Sequence, residues 1–482
     1  MDTAPRAGQT NTRVDLSTWV FFCLATLLTL APLLRGGNRQ LAIGILLALG
    51  LCILASVITQ LISDRSTRPL PGTDPQRQPL LKTIAIALLA SSPVWLAVLQ
   101  LTPFSAQTWS DLAGRSDYLP ALASLGTQPP DQLPLSLNPG ATSAALWSAL
   151  PVSAAFVAAL TLGRRQTDRL LAILVSAAAL QTLIAVLQIG GGKGSFFYFG
   201  STYAGSVIGT FNNRNHLADF LGMSVPLWFY FALRSSHKHR SGVARLVPRN
   251  AWWPLWIIFG FSMLVVMLMT QSRGGLLATS IALVGCGWLM LRTQGPQLSA
   301  RLRWATVAAL GLTISAALIS VGLEELSNRV QTDRLIVDAN VRHNYSLDTL
   351  KAAQHFWPWG SGAGTFESVF PRFQSLQTMG YVEYAHNDYP QLLMELGIFA
   401  LPLIAAALYL AVQQLRQLQR SQNARHSKRN TLLQRQLAGL SVLVLLLHSW
   451  VEFNMHIPAL AITAAFLAGV YLRPIALTGD DD

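Results

Sequence analysis

LAIGILLALGLCILASVITQLI (41–62) runs for 22 residues without one charged side chain. An amphipathic helix of a soluble protein keeps a charged face, and about 18 unbroken apolar residues suffice to cross a bilayer. The run therefore reads as a membrane span, and LSTWVFFCLATLLTLAPLL (16–34) reads the same way. Working outward gives twelve such spans, near 16–34, 41–62, 83–102, 142–162, 170–190, 215–233, 251–270, 274–291, 304–322, 389–412, 436–453 and 457–472. Only 12% of the 482 residues are charged, against about a quarter in soluble domains. The fold class that follows is an all-α polytopic membrane protein.

The net charge of +13 raises the question of nucleic acid. The distribution answers it. With both termini in the cytoplasm, the inside segments hold 24 of the 35 Lys and Arg residues, although the outside segments include the longest loops. This is the positive-inside pattern, whereas a nucleic-acid groove gathers its cations on one folded face. Cys23, Cys52 and Cys286 all fall within spans, so no disulfide framework is expected. Arg6 and Arg13 precede the first apolar run as in a signal peptide, but the run is too long and no small-residue cleavage pattern follows, which reads as an uncleaved helix. The chain divides into helices one to nine (1–322), a large outside loop (323–388), and three last helices with a cytoplasmic tail (389–482).

That large loop holds 8 acidic residues, 5 Lys or Arg and three of the nine histidines. Its stretch VRHNYSLDTLKAAQHFWPWGSGAGTF (341–366) should open as a helix and stop before Pro358, because proline disfavours the α conformation in the residue ahead of it. The glycines of GSGAGTF then make a turn. No strand precedes them and no basic phosphate ligand follows at P-loop spacing, so a nucleotide site is not implied.

YAHNDYPQLLMELG (384–397) opens the tenth span with polar groups, which are costly in hydrocarbon unless they face a partner, a cavity or a substrate. On a helix from 388, Asp388, Gln391 and Glu395 share one face. That face, with Asn387 at its start, is expected to line a water-accessible cavity at the outer rim. His386, with an ordinary pKa of about 6.5, is a natural proton acceptor, although a histidine at a membrane boundary is also often only a satisfied polar residue. Nine residues separate it from Glu395, half a turn out of phase, so a His–Glu relay between them is not implied. Arg273, followed by Gly274 and Gly275 at the start of a span, offers a cation beside free helix N–H groups, although a snorkelling arginine would look the same. Arg342 on the loop helix, taken by itself, reads first as a surface residue paired with Asp338 or Glu325. His448, Glu452 and His456 stand at i, i+4 and i+8, a metal-like spacing that Asn454 and Pro458 interrupt; no metal ligand set or cofactor is assigned, and Glu452 is expected to brace the outside surface.

Taken in order, GTFNNRNHLADFL (209–221), SRGGLLA (272–278), Arg342 with PWGSGAGTF (358–366), and HNDYPQLLMELG (386–397) resemble the O-antigen ligase and O-antigen polymerase superfamily of bacterial envelope proteins. The resemblance implies a membrane glycosyltransferase with a GT-C-like fold. It implies a donor glycan carried on undecaprenyl pyrophosphate at the periplasmic face of the inner membrane. The acceptor would be lipid A–core oligosaccharide in a ligase, or another lipid-linked repeat unit in a polymerase. By motif, His386 matches the family's essential histidine, Arg273 and Arg342 its two essential arginines, and Asn213 and Asn215 its asparagine-rich motif.

Three other readings compete. A polymerase shares every motif with a ligase. A small-anion transporter, such as an inorganic carbon carrier, should carry ionisable residues or broken helices near mid-membrane, whereas most spans here have uncharged middles. A protein O-glycosyltransferase shares the motifs but often continues with further outside sequence, and this chain ends in RPIALTGDDD.

Overall fold

A computed structural model describes residues 16–67, 80–128, 130–235, 253–294, 335–376, 380–421 and 426–473. Helices dominate: α1 (Leu16–Leu33), α2 (Gln40–Thr67), α3 (Leu80–Ala90), α4 (Ser92–Leu101), α5 (Pro139–Thr161), α6 (Arg164–Gly191), α7 (Arg214–Ser235), α8 (Trp253–Met269), α9 (Arg273–Gln294), α10 (Leu335–His355), α11 (Asp388–Leu396), α12 (Ala400–Arg420), α13 (His426–His448) and α14 (Pro458–Leu472). The strands among the described residues are β1 (Pro103–Ser105) and β2 (Gln132–Pro134), an antiparallel pair. Among the described residues, eight spans are long and apolar enough to cross a membrane, and residues 254–269 and 458–472 form shorter apolar helices. The protein is an all-α polytopic membrane protein. The expected span at 304–322, and the loop up to residue 334, lie outside the described residues.

Two expected spans are irregular, one bent and one interrupted within a single span. The third is the pair α3–α4, bent by 62° where Pro93 enters the first turn of α4. The tenth divides at Gly397, whose backbone is left-handed (φ +55°), into the short α11 and the longer α12.

Lipid tails are as apolar as leucine, so helix association in a membrane rests on close packing and polar contacts. Small residues supply the closeness here. A Cβ at Gly50 of α2 would stand 2.7 Å from the Pro151 backbone of α5, and one at Gly469 of α14 would stand 2.6 Å from Ala159. Leu24, Leu174, Phe220, Met263, Val444 and Phe466, from six helices, fill the bundle interior.

The helix ends form two polar layers. At one end Tyr230 and Gln434 both donate to Asp168 at 2.8 Å, Lys82 reaches Gln414 and Gln417, and Arg435 donates to the Arg473 carbonyl at 2.7 Å. The other end carries a cap made from residues 103–138 and from α10 through the residues before α11. Fully buried Arg115 pins these two segments together, donating to the Leu135 carbonyl at 2.5 Å and to the Gly360 carbonyl at 2.9 Å. Ala352, Phe356, Phe366, Phe370 and Met394 make a second, smaller core beneath the cap.

Within it, α10 ends at His355 as Pro358 requires. The glycine turn that follows is a backbone-to-backbone joint. A Cβ at Gly360 would stand 2.5 Å from the Glu395 carbonyl, and one at Gly397 would collide with the Pro358 carbonyl. The Glu395 carboxylate accepts from the Gly364 N–H at 2.8 Å and the Phe366 N–H at 3.3 Å, closing the turn onto α11.

Candidate active site

The segment HSWVEFNMH (448–456), between α13 and α14, is where the polar residues of the capped end converge. Residues 384–391 fasten onto it. The Asp388 N–H donates to the Ser449 carbonyl at 3.0 Å, the Asp388 carboxylate accepts from the Met455 N–H at 2.9 Å, and Tyr389 O–H donates to the Leu446 carbonyl. Asn387 turns its side chain back to accept from the Tyr389 N–H at 3.2 Å, capping α11. Its neighbour His386 sits at φ +51°, a region that non-glycine residues seldom occupy and that recurs at functional sites.

This backbone aims the His386 ring at Glu452, Nδ1 lying 2.8 Å from Oε1. The other carboxylate oxygen of Glu452 accepts from Arg342 Nη1 at 3.3 Å and, more closely, from Asn215 Nδ2. Arg342 also donates to the Val451 carbonyl at 3.1 Å. One carboxylate, fully buried, therefore gathers the histidine, an arginine from the cap and an asparagine from α7. Burial works to raise the Glu452 pKa, but the His386 hydrogen bond and the charge of Arg342 outweigh it and hold the carboxyl well below the usual range. Glu452 is thus an anion at neutral pH. An anion accepts, so Nδ1 of His386 carries the hydrogen and Nε2 is left as the basic atom. Aromatic rings fix the imidazole further: Tyr345 stacks at 6.3 Å, and Phe453 meets it edge-on at 5.0 Å while stacking on Tyr384 at 4.4 Å.

Arg273 is the half-buried first residue of α9. The following Gly274 lies so close to the same segment that a Cβ there would stand 2.6 Å from Val451 and 2.7 Å from His448. Arg273, Arg342 and His386 accordingly flank one stretch of chain, 448–452. Asn213 starts α7, its Oδ1 accepting from the Asn215 N–H at 2.8 Å, and Arg214 ties that helix start to Gln271.

Glu395 is placed elsewhere. It is 5% exposed, and its carboxylate is engaged by the glycine turn and by Gln391 Nε2 at 3.1 Å. The residues of metal-like spacing also diverge: His448 pairs with Asp219, Glu452 with His386 and Arg342, and His456 with Asp388 at 2.7 Å. The carboxylate at the hub is the residue that sequence reasoning left in a bracing role. Its signal was an acid within the expected span 436–453, where an ionisable residue is a functional candidate by default; its partners His386 and Arg342 are 66 and 110 residues away.

Residues 258–405 match the O-antigen ligase family model. The O-antigen ligase match supports the superfamily that the motifs resemble, whose members are glycosyltransferase-like ligases and polymerases acting on lipid-linked glycans and acceptors. The matched segment contains Arg273, Arg342, His386, Asn387 and Glu395, and leaves Asn213, Asn215 and Glu452 outside. No curated protein matches the chain.

Proposed function

We propose that this protein transfers a glycan from undecaprenyl pyrophosphate to an acceptor sugar at the periplasmic face of the bacterial inner membrane, with lipid A–core as the acceptor. The carrying observation is the shared carboxylate of Glu452, which sets a basic imidazole nitrogen and an arginine on one short segment. In this reading the acceptor hydroxyl gives its proton to His386 Nε2 as its oxygen attacks the anomeric carbon. The bond from that carbon to the pyrophosphate oxygen breaks, and undecaprenyl pyrophosphate leaves with the electron pair. A single displacement of this kind inverts the anomeric centre. The developing negative charge is met by Arg273 and Arg342, which stay protonated and can bind phosphate oxygens bidentately. Fixed guanidinium charges here fill the place that a divalent cation takes in other transferases, so the proposed mechanism is metal-independent.

Asn215 steadies the hub, and Asn213 and Asn387 shape the two chain entries to the site. Glu395 then bears on substrate only through the glycine turn it holds. In this reading the cap, residues 335–388 with 103–138, lies on the periplasmic side, and both termini lie in the cytoplasm.

The test is reconstitution of the full chain with undecaprenyl pyrophosphate-linked glycan and lipid A–core, with and without a metal chelator. Transfer should survive chelation and be lost in Arg342→Ala and His386→Ala. Near wild-type transfer by both variants would overturn the assignment. In cells, loss of a ligase leaves lipid-linked polymer but no polysaccharide on lipid A–core, whereas loss of a polymerase leaves single repeats attached.

A further inference from the structure

We propose that the buried His448–Asp219 pair is a positioning device for Arg273, fixing the start of α9 and so the place of its guanidinium. His448 ends α13 and is 2% exposed; its Nδ1 lies 3.1 Å from Oδ1 of the fully buried Asp219, one helical turn beyond Asn215 on α7. The other ring nitrogen, Nε2, lies 3.4 Å from Oγ of Ser272, the residue that immediately precedes Arg273. Ser272 is buried too, and its carbonyl accepts from the Leu276 N–H at 2.9 Å, which starts the helix.

The glycines after Arg273 bring the ring into direct contact with that first turn. A Cβ at Gly274 would be 2.7 Å from His448 Cδ2, and one at Gly275 would be 3.3 Å from Cε1 and 2.9 Å from Ala218. Three helices, α7, α9 and α13, thus meet around one imidazole with no room for a methyl group. A leucine would fill such a space at less cost, since an ionisable pair inside a membrane bundle must offset its desolvation. What a leucine lacks is direction. Asp219 accepting from Nδ1–H leaves Nε2 to accept from the Ser272 hydroxyl, which orients the peptide that carries Arg273.

The inference rests on the pyrophosphate role proposed for Arg273, and the experiment separates the two. The full chain in nanodiscs is titrated with undecaprenyl pyrophosphate, comparing wild type, Arg273→Ala, Arg342→Ala and His448→Gln, and His448→Gln within each arginine background. His448→Gln should weaken binding about tenfold, the scale of one hydrogen bond acting on a charged partner. In the Arg273→Ala background it should add no more than about twofold, while in the Arg342→Ala background the full factor should return. A general loss of fold integrity would not discriminate between the two arginines. Ser272→Ala supplies the same comparison should His448→Gln not fold. Weakened binding in Arg273→Ala with none in His448→Gln, or equal multiplication in both backgrounds, would overturn the inference alone. Unchanged binding in Arg273→Ala would overturn the role of that arginine and the inference with it.

Discussion

Glu452→Gln is the sharpest probe of the site. The substitution keeps the shape of the side chain and removes its charge, turning one of two acceptor oxygens into an NH2 donor. In the wild type both oxygens are engaged, Oε1 by His386 Nδ1 at 2.8 Å and Oε2 by Asn215 and Arg342. The amide can satisfy one side only. If its oxygen faces Asn215 and Arg342, its NH2 confronts His386 Nδ1–H, and the ring must either turn over or shed that hydrogen. Either way the basic nitrogen no longer points where it did. One hydrogen bond to a charged partner is worth about 1.5–3 kcal/mol, so the loss is expected near 2 kcal/mol, on the order of 30-fold in kcat/KM. The assay is glycan transfer from undecaprenyl pyrophosphate in proteoliposomes, with donor and acceptor varied separately, beside a thermal melt. The carboxyl titrates below its ordinary value of 4.5 in the folded protein. Its contribution to stability is therefore complete above about pH 4.5 and is lost as pH falls through the depressed value, a dependence that Glu452→Gln removes. Transfer within about twofold of wild type by Glu452→Gln would refute the reasoning, because a hub whose charge is dispensable orients nothing.

Arg342→Lys keeps the charge but not the planar fork that reaches both Val451 and Glu452, and transfer should fall about tenfold while expression holds, checked by initial rates. Gly397→Ala places a methyl against the Pro358 carbonyl at a left-handed position, and should destabilise the protein by about 2 kcal/mol or more in a thermal melt. His456 is held above its ordinary pKa of 6.5 because, although burial lowers it, Asp388 and Glu395 outweigh that. Its contribution is complete below about pH 6.5 and fades as pH rises through the elevated value, so melts of wild type should fall between pH 6.5 and 9 more steeply than those of His456→Gln.

The spans were legible because a membrane leaves little choice: apolar runs such as 41–62 and 139–161 fold as helices wherever they are found. The breaks were not. Gly397 is a local stop signal, but a lone glycine is tolerated within an apolar span and the expected tenth helix runs through it; in the structure the backbone of Pro358 and Gly360, nearly forty residues earlier in the chain, packs directly against it. The site divided in the same way. His386, Arg273 and Arg342 stood out as polar groups at span edges and by their likeness to a family. Glu452 had the same credentials but no visible partner, because its three contacts come from α7, α10 and the residues before α11. Glu395 shows the converse: helical phase put it on the polar face, and in the structure its carboxylate meets a peptide turn.

The joint between the glycine turn and α11 governs how this protein can be cut. The turn's amides are satisfied by Glu395, its neighbour Ala363 donates to Gln100 of α4, and Met394 completes the small core. An excised cap ending at residue 388 would leave all three behind, with polar backbone and aromatic surface bared to solvent. Shortened forms made for antibodies, crystallisation or binding screens should therefore carry the membrane helices along.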